Sequence, residues 1–376
     1  MYELETFIIF IAIVAIAIFV DRKNIKREGI IIIRRTDKGK KFIENLASNH
    51  PRFWNAFFTF AAVISIPVMV FAFVFLINNA LLIVEGVSKE GATLVVPGAV
   101  SEAQLAPGVL ILPWYFWIIG ILSVLIPHEF SHGIASRIGK IKIKSLGWLL
   151  LLFLPGAFCE PDEKQLNKAK RSVKIKVYAA GSVANLVFAG IMFLLVFAMT
   201  QALYQSGGVV YSGIDNNTPF YNASVQGAIL SINNIPVTTP DNISAILNAT
   251  KPGSLILVKT THGSYNVTTT KRPDGAPGAY LGIAGPYSSY LVLNAAAMPL
   301  AAPIDFLRML FFWIFILNLG IGLVNLMPLK PFDGGLIFEA IVGKYFSKKN
   351  TDRIVILVSL LSAAILLFNV IGPNIF

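Results

Sequence analysis

The residues LIPHEFSHGIAS, 125–136, place two histidines and a glutamate inside an apolar segment of the chain. His128 and His132 are four positions apart, so they share one face of a helix, where both imidazoles can bind one metal ion. Glu129 lies beside that face and can reach a water at the metal. Ionisable groups are costly inside a membrane span and mark function. The pattern predicts a hydrolytic metal site; the alternative is a chance match, although only four histidines occur in the chain.

The composition is that of a membrane protein. Of 376 residues, 55% are hydrophobic and 14% are charged, and the mean hydropathy is +0.70. A soluble domain carries about a quarter charged residues, so a single soluble globule is not expected, and the apolar content excludes a disordered chain. Runs of about 20 apolar residues predict a polytopic α-helical protein with about six spans. The predicted spans cover residues 6–20, 54–77, 110–136, 176–200, 298–326 and 354–373.

Lysine and arginine are concentrated in three segments. Residues 21–52, 137–176 and 330–353 hold 25 of the 31 basic residues, and by the positive-inside rule these segments face the cytoplasm. This clustering accounts for the net charge of +11 without nucleic acid as a partner. It places residues 205–285 outside the cytoplasm and the HExxH motif near the cytoplasmic side. The single cysteine, Cys159, excludes an intramolecular disulfide and a zinc cage built from cysteines.

Residues 145–160, SLGWLLLLFLPGAFCE, are apolar but too short to cross a membrane, and Pro155 and Gly156 interrupt them. Basic segments flank them on both sides, so we expect a re-entrant hairpin that enters from the cytoplasmic side and lines a polar cavity. A strand edge there can hold an extended substrate. The alternative is a short buried helix that covers the cavity. Residues 334–347 are expected to form a short amphipathic helix at the membrane interface.

Residues 205–285 alternate β-branched stretches with turn signals, which predicts an inserted, compact, β-rich extracytoplasmic domain. The rest of the chain divides into a two-span region with a basic cytoplasmic loop and an outer loop, 1–109, and two halves of a membrane core, 110–204 and 286–376. The domain holds five N-x-[ST] sequons, which are candidate glycan acceptors or a chance result of its Asn and Thr content. They lie at Asn216, Asn222, Asn242, Asn248 and Asn266.

Two histidines leave a hydrolytic zinc site incomplete, because such a site takes three protein ligands and keeps one open position. Asp333 is the best third ligand. It lies in NLGIGLVNLMPLKPFDGGLIFEA, 318–340, at the inner end of the fifth span, and the HExxH motif lies near the inner end of the third. The alternative is that Asp333 caps a helix or forms a turn before Gly334 and Gly335.

Together these stretches resemble the site-2 protease family of intramembrane zinc metalloproteases. In both, an HExxH motif is followed by a second motif, N-x-x-P-x-x-x-x-D-G in that family. This second motif is matched by Asn325, Pro328, Asp333 and Gly334. A third pattern, G-x-x-x-N on the intervening span, is matched by Gly181 and Asn185. The resemblance covers roughly residues 110–350, with all three motifs in order.

The resemblance implies that His128, His132 and Asp333 bind one zinc ion and that Glu129 is the general base. Asn185 is expected to hold the substrate backbone or the developing oxyanion; the alternative is a polar contact between helices. The implied reaction is hydrolysis of a peptide bond within or near a transmembrane helix of a single-span membrane protein, in regulated intramembrane proteolysis.

The inserted domain is similar to the PDZ domains of many members of that family. The similarity lies in PFYNASVQGAILSINNIPVTTPDNISAIL, 219–247. Two features depart from the pattern: Gly227-Ala228 stands where Gly-Asp is usual, and a carboxylate-binding Gly-Leu-Gly-Phe loop is not evident. A peptide ligand of this PDZ-like domain and a steric filter for substrates therefore both stay open.

Two other classes of function stay open as well. One is a non-catalytic membrane scaffold, with a structural metal and a PDZ-like domain that recruits partners. Glu129 argues against it, because a structural metal site needs no base. The other is an ion-binding transporter, and the lack of an inverted repeat in the sequence argues against that class.

Overall fold

The computed structural model describes residues 3–88, 91–106, 108–151 and 154–375. Its helices, in chain order, are α1 Glu3–Val20, α2 Lys40–Asn49, α3 Pro51–Val84, α4 Trp114–Ile138, α5 Glu163–Lys168, α6 Arg171–Leu203, α7 Pro219–Asn222, α8 Pro240–Ala249, α9 Ala301–Asn325, α10 Asp333–Val342 and α11 Lys348–Ile371. Among the described residues, six helices are long and apolar enough to cross a membrane: α1, α3, α4, α6, α11 and α9 with its preceding turn. This agrees with the predicted polytopic membrane protein.

The strands, in chain order, are β1 Ile25–Glu28, β2 Ile31–Thr36, β3 Leu94–Gly98, β4 Gln104–Ala106, β5 Val109–Pro113, β6 Ile143–Leu151, β7 Leu154–Pro161, β8 Tyr204–Ile214, β9 Ile229–Ile232, β10 Ile235–Pro236, β11 Leu255–Thr260, β12 Ser264–Thr268, β13 Thr270–Lys271, β14 Ala279–Tyr280 and β15 Ile283–Leu293. The described chain divides into two compact units. The membrane unit comprises Met1–Leu194 and Met309–Phe376, and the inserted unit comprises Leu195–Arg308. The inserted unit is longer than the domain predicted at 205–285, because β15 continues to Leu293.

The long helices bury one face and expose the other. Along α3, Phe58, Ala61, Ser65, Met69 and Ala72 recur every three or four residues and are buried, which aligns them on one face. Bulky apolar side chains elsewhere on α3 are exposed, as expected for a helix surrounded by lipid. At about 1.5 Å per residue, the 34 residues of α3 extend about 51 Å, more than the roughly 30 Å of a hydrocarbon core.

The segment predicted as a hairpin forms an antiparallel pair of strands. β6 and β7 pair with Leu146 opposite Cys159, so the alternative of a short buried helix at 145–160 is wrong. Leu152 and Phe153, at the tip, lie outside the described residues. Entry of this hairpin into the membrane stays a prediction.

The hairpin belongs to a larger sheet in the order β1-β2-β6-β7. The sequence predicts only a basic loop for residues 21–52, but β2 pairs antiparallel with β6, with Ile33 opposite Leu149. The local cause is a run of isoleucines after Gly29, because β-branched residues favour strands. Strand pairing therefore crosses the predicted boundary at residue 109: β2 joins the core hairpin, and β3 pairs in parallel with β5.

Helix α6 packs against both α4 and α10 in the membrane unit. Ala180 shares a buried cluster with Ile134 of α4, and Ala179 shares another with Ile337 of α10. Both alanines are fully buried, and small residues let helices approach closely where lipid gives no hydrophobic drive. Since Ala179 and Ala180 are consecutive, α4 and α10 contact adjoining faces of α6, which brings residues far apart in the chain next to each other.

The inserted unit is built on a sheet in the order β12-β11-β9-β8-β15. Its apolar core includes side chains of α7 and α8 as well as strands: Val209, Phe220, Val225, Ile229, Ile232, Val237, Ile243, Leu247, Ile256, Val258, Val267, Ala279 and Leu281. Helix α8 begins with a capping box formed by Thr239 and Asn242, which satisfies backbone N–H groups at its start. The likeness to PDZ domains stays a prediction.

Candidate active site

Helix α4 carries His128, Glu129 and His132 in its C-terminal half. The two histidines are one turn apart, and their Nε2 atoms lie 3.1 Å from each other. Their rings meet edge to face, with 4.7 Å between centroids. Pro127 precedes the motif and has no N–H, so α4 lacks one backbone hydrogen bond just before it. The helix thus directs both Nε2 atoms to one point.

Asp333 is the first residue of α10. Its Oδ2 lies 3.5 Å from His128 Nε2, and its Oδ1 lies 3.4 Å from His132 Nε2. One ligand atom from each of these three residues lies within 4.8 Å of the others. The N-cap position belongs to Phe332, so the carboxylate of Asp333 faces the histidines instead of capping the helix. Two imidazoles and a carboxylate form a set of donors that suits zinc.

Two glycines hold the start of α10 against the preceding loop. A Cβ at Gly334 would lie 2.1 Å from the carbonyl oxygen of Leu326, and a Cβ at Gly335 would lie 2.5 Å from the carbonyl carbon of Leu329. Real Cβ atoms essentially never come within 3.0 Å of such atoms. Glycine at both positions therefore allows the tight packing that places Asp333 at the site.

Helix α6 closes a third side of the site. A Cβ at Gly181 would lie 2.4 Å from His132 Nε2 and 2.7 Å from His128 Nε2. Glycine thus leaves room beside both nitrogens, where a metal ion would bind. The next residue, Ser182, donates its hydroxyl to Asp333 Oδ2 at 2.6 Å and orients the carboxylate.

The Nδ1 atoms of both histidines are held by other groups. His132 Nδ1 lies 2.7 Å from the carbonyl oxygen of Val177, which can only accept, so Nδ1 carries the proton and Nε2 presents its lone pair to the site. His128 Nδ1 lies 3.1 Å from the side-chain nitrogen of Asn185. Asn185 Oδ1 is buried without a hydrogen-bond partner among the described residues. With the amide oxygen and nitrogen exchanged, Oδ1 accepts from His128 Nδ1–H, and His128 Nε2 is also able to bind a metal.

Glu129 is bonded to the backbone of β7. Its Oε2 accepts a 2.7 Å hydrogen bond from the N–H of Cys159. That N–H points away from β6, as expected at alternate positions of an antiparallel strand. β7 is an edge strand among the described residues, and Glu129 lies along the edge that has no strand partner. Cys159 itself is a buried free thiol, and the group of possible metal ligands found among the described residues does not include it.

The part of the chain that contains this site matches a known protein family. Residues 116–369 match the model of peptidase family M50. The chain belongs to peptidase family M50. The match runs from α4 into α11 and contains the three candidate ligands together with Glu129. M50 peptidases are zinc metalloproteases of the site-2 protease family, so the resemblance read from the sequence is confirmed.

A curated relative extends the likeness over nearly the whole chain. This M50 peptidase is 27% identical over 354 residues to the uncharacterized protein MJ0971 of Methanocaldococcus jannaschii. The aligned part covers 90% of this chain and 87% of that protein. The relative's name states no activity, so the support for a membrane metalloprotease comes from the family.

The sequence does not predict three groups that contact the site residues. They are the Ser182 hydroxyl, the Val177 carbonyl and the Cys159 N–H. Only Ser182 has a usable signal, because it follows Gly181 inside the G-x-x-x-N pattern. The other two groups belong to the backbone and have no side-chain signature.

The predicted glycan acceptors differ in their surroundings. Asn242 Oδ1 accepts hydrogen bonds from the backbone N–H groups of Thr238 and Thr239, both at 3.0 Å, so its amide is engaged in capping α8. The other sequon asparagines are exposed on the inserted unit: Asn216, Asn222, Asn248 and Asn266. Their glycosylation stays a prediction.

Proposed function

We propose that this M50 peptidase cleaves a peptide bond within or near a transmembrane helix of a single-span membrane protein, with one zinc ion bound by His128, His132 and Asp333. The observation that carries the proposal is the approach of Asp333 to both Nε2 atoms, at 3.5 and 3.4 Å. The histidines lie on α4, which is a candidate membrane span. A site within the spans acts on a substrate that lies in the same membrane.

The reaction needs a polarised carbonyl, an activated water and a proton carrier. A bound zinc ion supplies a Lewis acid for the carbonyl and the water. Glu129 is the general base, which takes the proton of the attacking water and delivers it to the leaving amine. The Cys159 N–H holds Oε2 in place, so Oε1 is the oxygen that exchanges the proton.

We assign Asn185 to positioning His128 rather than to binding the substrate. Its amide lies 3.1 Å from His128 Nδ1, and the residue is fully buried, which leaves little of it for a substrate to contact. A partner on the second ring nitrogen fixes the tautomer and orientation of a metal-binding histidine. The Val177 carbonyl has the same role for His132.

The open edge of β7 suits an extended substrate. A transmembrane helix shields its own peptide bonds with its hydrogen bonds, so the substrate must unwind before cleavage. Addition to β7 as a strand would satisfy the freed backbone groups. Because β2 pairs with β6, the far side of the hairpin is covered, and addition is directed to the edge beside Glu129.

The distribution of basic residues supports an orientation for the chain. Segment 137–176 begins at the end of α4, the helix that carries the histidines, and segment 330–353 contains Asp333. By the positive-inside rule, the active site lies near the cytoplasmic side and the inserted unit lies outside.

A cavity of the inserted unit supports the proposal of a peptide partner. A cavity of about 220 Å³ is lined by Ile243 and Leu247 of α8 and by Leu281, Ile283 and Tyr287. β15 is at the edge of its sheet among the described residues, so an extended peptide can add to it and place side chains in the cavity. This cavity favours a peptide ligand over a purely steric filter.

Reconstitution of the purified full-length protein with a tagged single-span substrate tests the proposed reaction. Cleavage is expected for the wild type and for Glu163→Gln, which changes an exposed glutamate of α5. No cleavage is expected for Glu129→Gln or after removal of metal by a chelator. Cleavage by Glu129→Gln at the wild-type rate contradicts the base assignment. Bound zinc without cleavage of membrane substrates favours the non-catalytic scaffold or ion-binding alternative.

A further inference from the structure

The membrane unit has a cavity of about 460 Å³, and the described residues that line it do not include the three candidate metal ligands. It is formed by the first turns of α6 and α11, the second half of α10 and the segment before α6. Its lining is rich in charged and polar side chains, including Arg171, Lys174, Tyr178, Glu339, Lys348 and Asp352.

The two carboxylates of this cavity each have a cation nearby. Glu339 Oε2 lies 2.5 Å from Lys330 Nζ. Asp352 Oδ1 lies 3.7 Å from Lys348 Nζ, one turn away on α11. Both negative charges are therefore largely balanced from within the protein.

Arg171 and Lys174 have no acidic partner among the described residues. Arg171 donates to the carbonyl oxygen of Gly343 at 3.3 Å, a neutral group that leaves its charge unbalanced. α6 and α11 both begin at the cavity, and the free N–H groups at a helix start favour an anion. Ser347, the N-cap residue of α11, makes no side-chain capping bond in the described structure. The unpaired cations and the starts of two helices thus border one space.

We propose that this cavity binds a phosphate group, carried by the headgroup of an anionic phospholipid or by a soluble phosphorylated compound. Arginine suits this role because its N–H groups bind phosphate oxygens in pairs. The volume falls within the roughly 300–1,000 Å³ of small-molecule sites and leaves room for the group that carries the phosphate. The cavity is built from the basic segments 137–176 and 330–353, and clustered basic residues beside membrane spans recognise anionic headgroups.

A phosphate bound in this cavity would stabilise the position of Asp333 in the active site. Tyr178 lines the cavity and lies one helical turn before Ser182, which donates to Asp333. α10 begins at Asp333, and its residue Glu339 lines the same cavity. A ligand that bridges α6 and α10 therefore favours the arrangement in which Asp333 meets the histidines. This coupling rests on the proposed function, whereas the binding does not.

Native mass spectrometry of the full-length protein in phosphatidylcholine-containing micelles tests the binding with two probes, phosphatidylglycerol and inorganic pyrophosphate. The test variant is Arg171→Gln/Lys174→Gln. The matched control is Lys164→Gln/Lys168→Gln, which removes equal charge from exposed positions of α5 that do not line the cavity in the described structure. The test variant is expected to bind about 25-fold more weakly than the wild type, and the control is expected to bind like the wild type.

The charge-conserving variant Arg171→Lys/Lys174→Arg is expected to retain binding, which separates lost recognition from lost folding. Selective loss of phosphatidylglycerol in the test variant identifies the lipid headgroup, and selective loss of pyrophosphate identifies a soluble source. No binding of either probe by the wild type, or equal binding by the test and control variants, overturns the site. Glu129→Gln is expected to bind both probes normally, so a failure of binding is distinct from a failure of the proteolytic proposal.

Discussion

Replacing Gly181 with alanine tests the metal site through one added methyl group. The new Cβ would lie 2.4 Å from His132 Nε2 and 2.7 Å from His128 Nε2, roughly 1 Å closer than such atoms pack. Both imidazoles would have to move away from α6. The atoms displaced first are those assigned to bind the metal, so the damage is concentrated on metal binding.

Stability and metal affinity are expected to separate in this variant. Alanine in place of glycine inside a helix favours the helix by about 1 kcal/mol, and overpacking costs about 1–3 kcal/mol. The free energy of unfolding therefore falls by at most about 2 kcal/mol. Zinc affinity is expected to fall about 100-fold or more, because changes that only reorient a metal ligand already cost about 10–100-fold.

The assay is the zinc content of the purified protein after equilibration against a series of zinc buffers. Gly190→Ala is the matched control, because Gly190 lies on the same helix and a Cβ there would meet nothing within 4 Å among the described residues. The control is expected to bind zinc like the wild type. Wild-type zinc affinity in a folded Gly181→Ala protein would refute the placement of the metal beside α6.

Other parts of the site have their own expected outcomes. Asp333→Asn removes the ligand charge, so bound zinc and cleavage are both expected to be lost; undiminished zinc would exclude this residue as a ligand. Asn185→Ala is expected to lower zinc affinity about 10–100-fold, whereas unchanged affinity with slower turnover would favour an oxyanion role. Ala157→Pro removes a backbone donor from the open edge of β7, so cleavage is expected to slow with zinc content unchanged. Full activity of that variant would argue against strand addition.

The sequence predicts the parts of the site that depend on local periodicity. His128, Glu129 and His132 share one helix, so the spacing alone places them together. Asp333 is distant in the chain, but the pattern of apolar spans and basic segments puts it at a similar depth in the membrane. The number of spans follows from the same apolar runs.

Contacts made through the backbone or between strands far apart in the chain could not be predicted from the sequence. The Cys159 N–H and the Val177 carbonyl hold Glu129 and His132, yet every residue other than proline carries both groups. The isoleucines of β2 lie among many basic residues, and their partner β6 is far away in the chain. Gly181 fits a family pattern, but its steric reason appears only when α4 and α6 are seen together.

The pairing of β2 with β6 has a practical consequence for anyone who shortens this protein. A fragment limited to the family match, 116–369, retains every assigned metal ligand but loses β1 and β2. The side of β6 that they cover would become bare, and bare apolar strand edges recruit strands from other molecules. Such a fragment is expected to aggregate during purification and, under the proposed strand addition, to bind substrate on the wrong side of the hairpin. The N-terminal strands thus prevent strand pairing between copies of the protein, although they contribute no candidate catalytic or metal-binding residue.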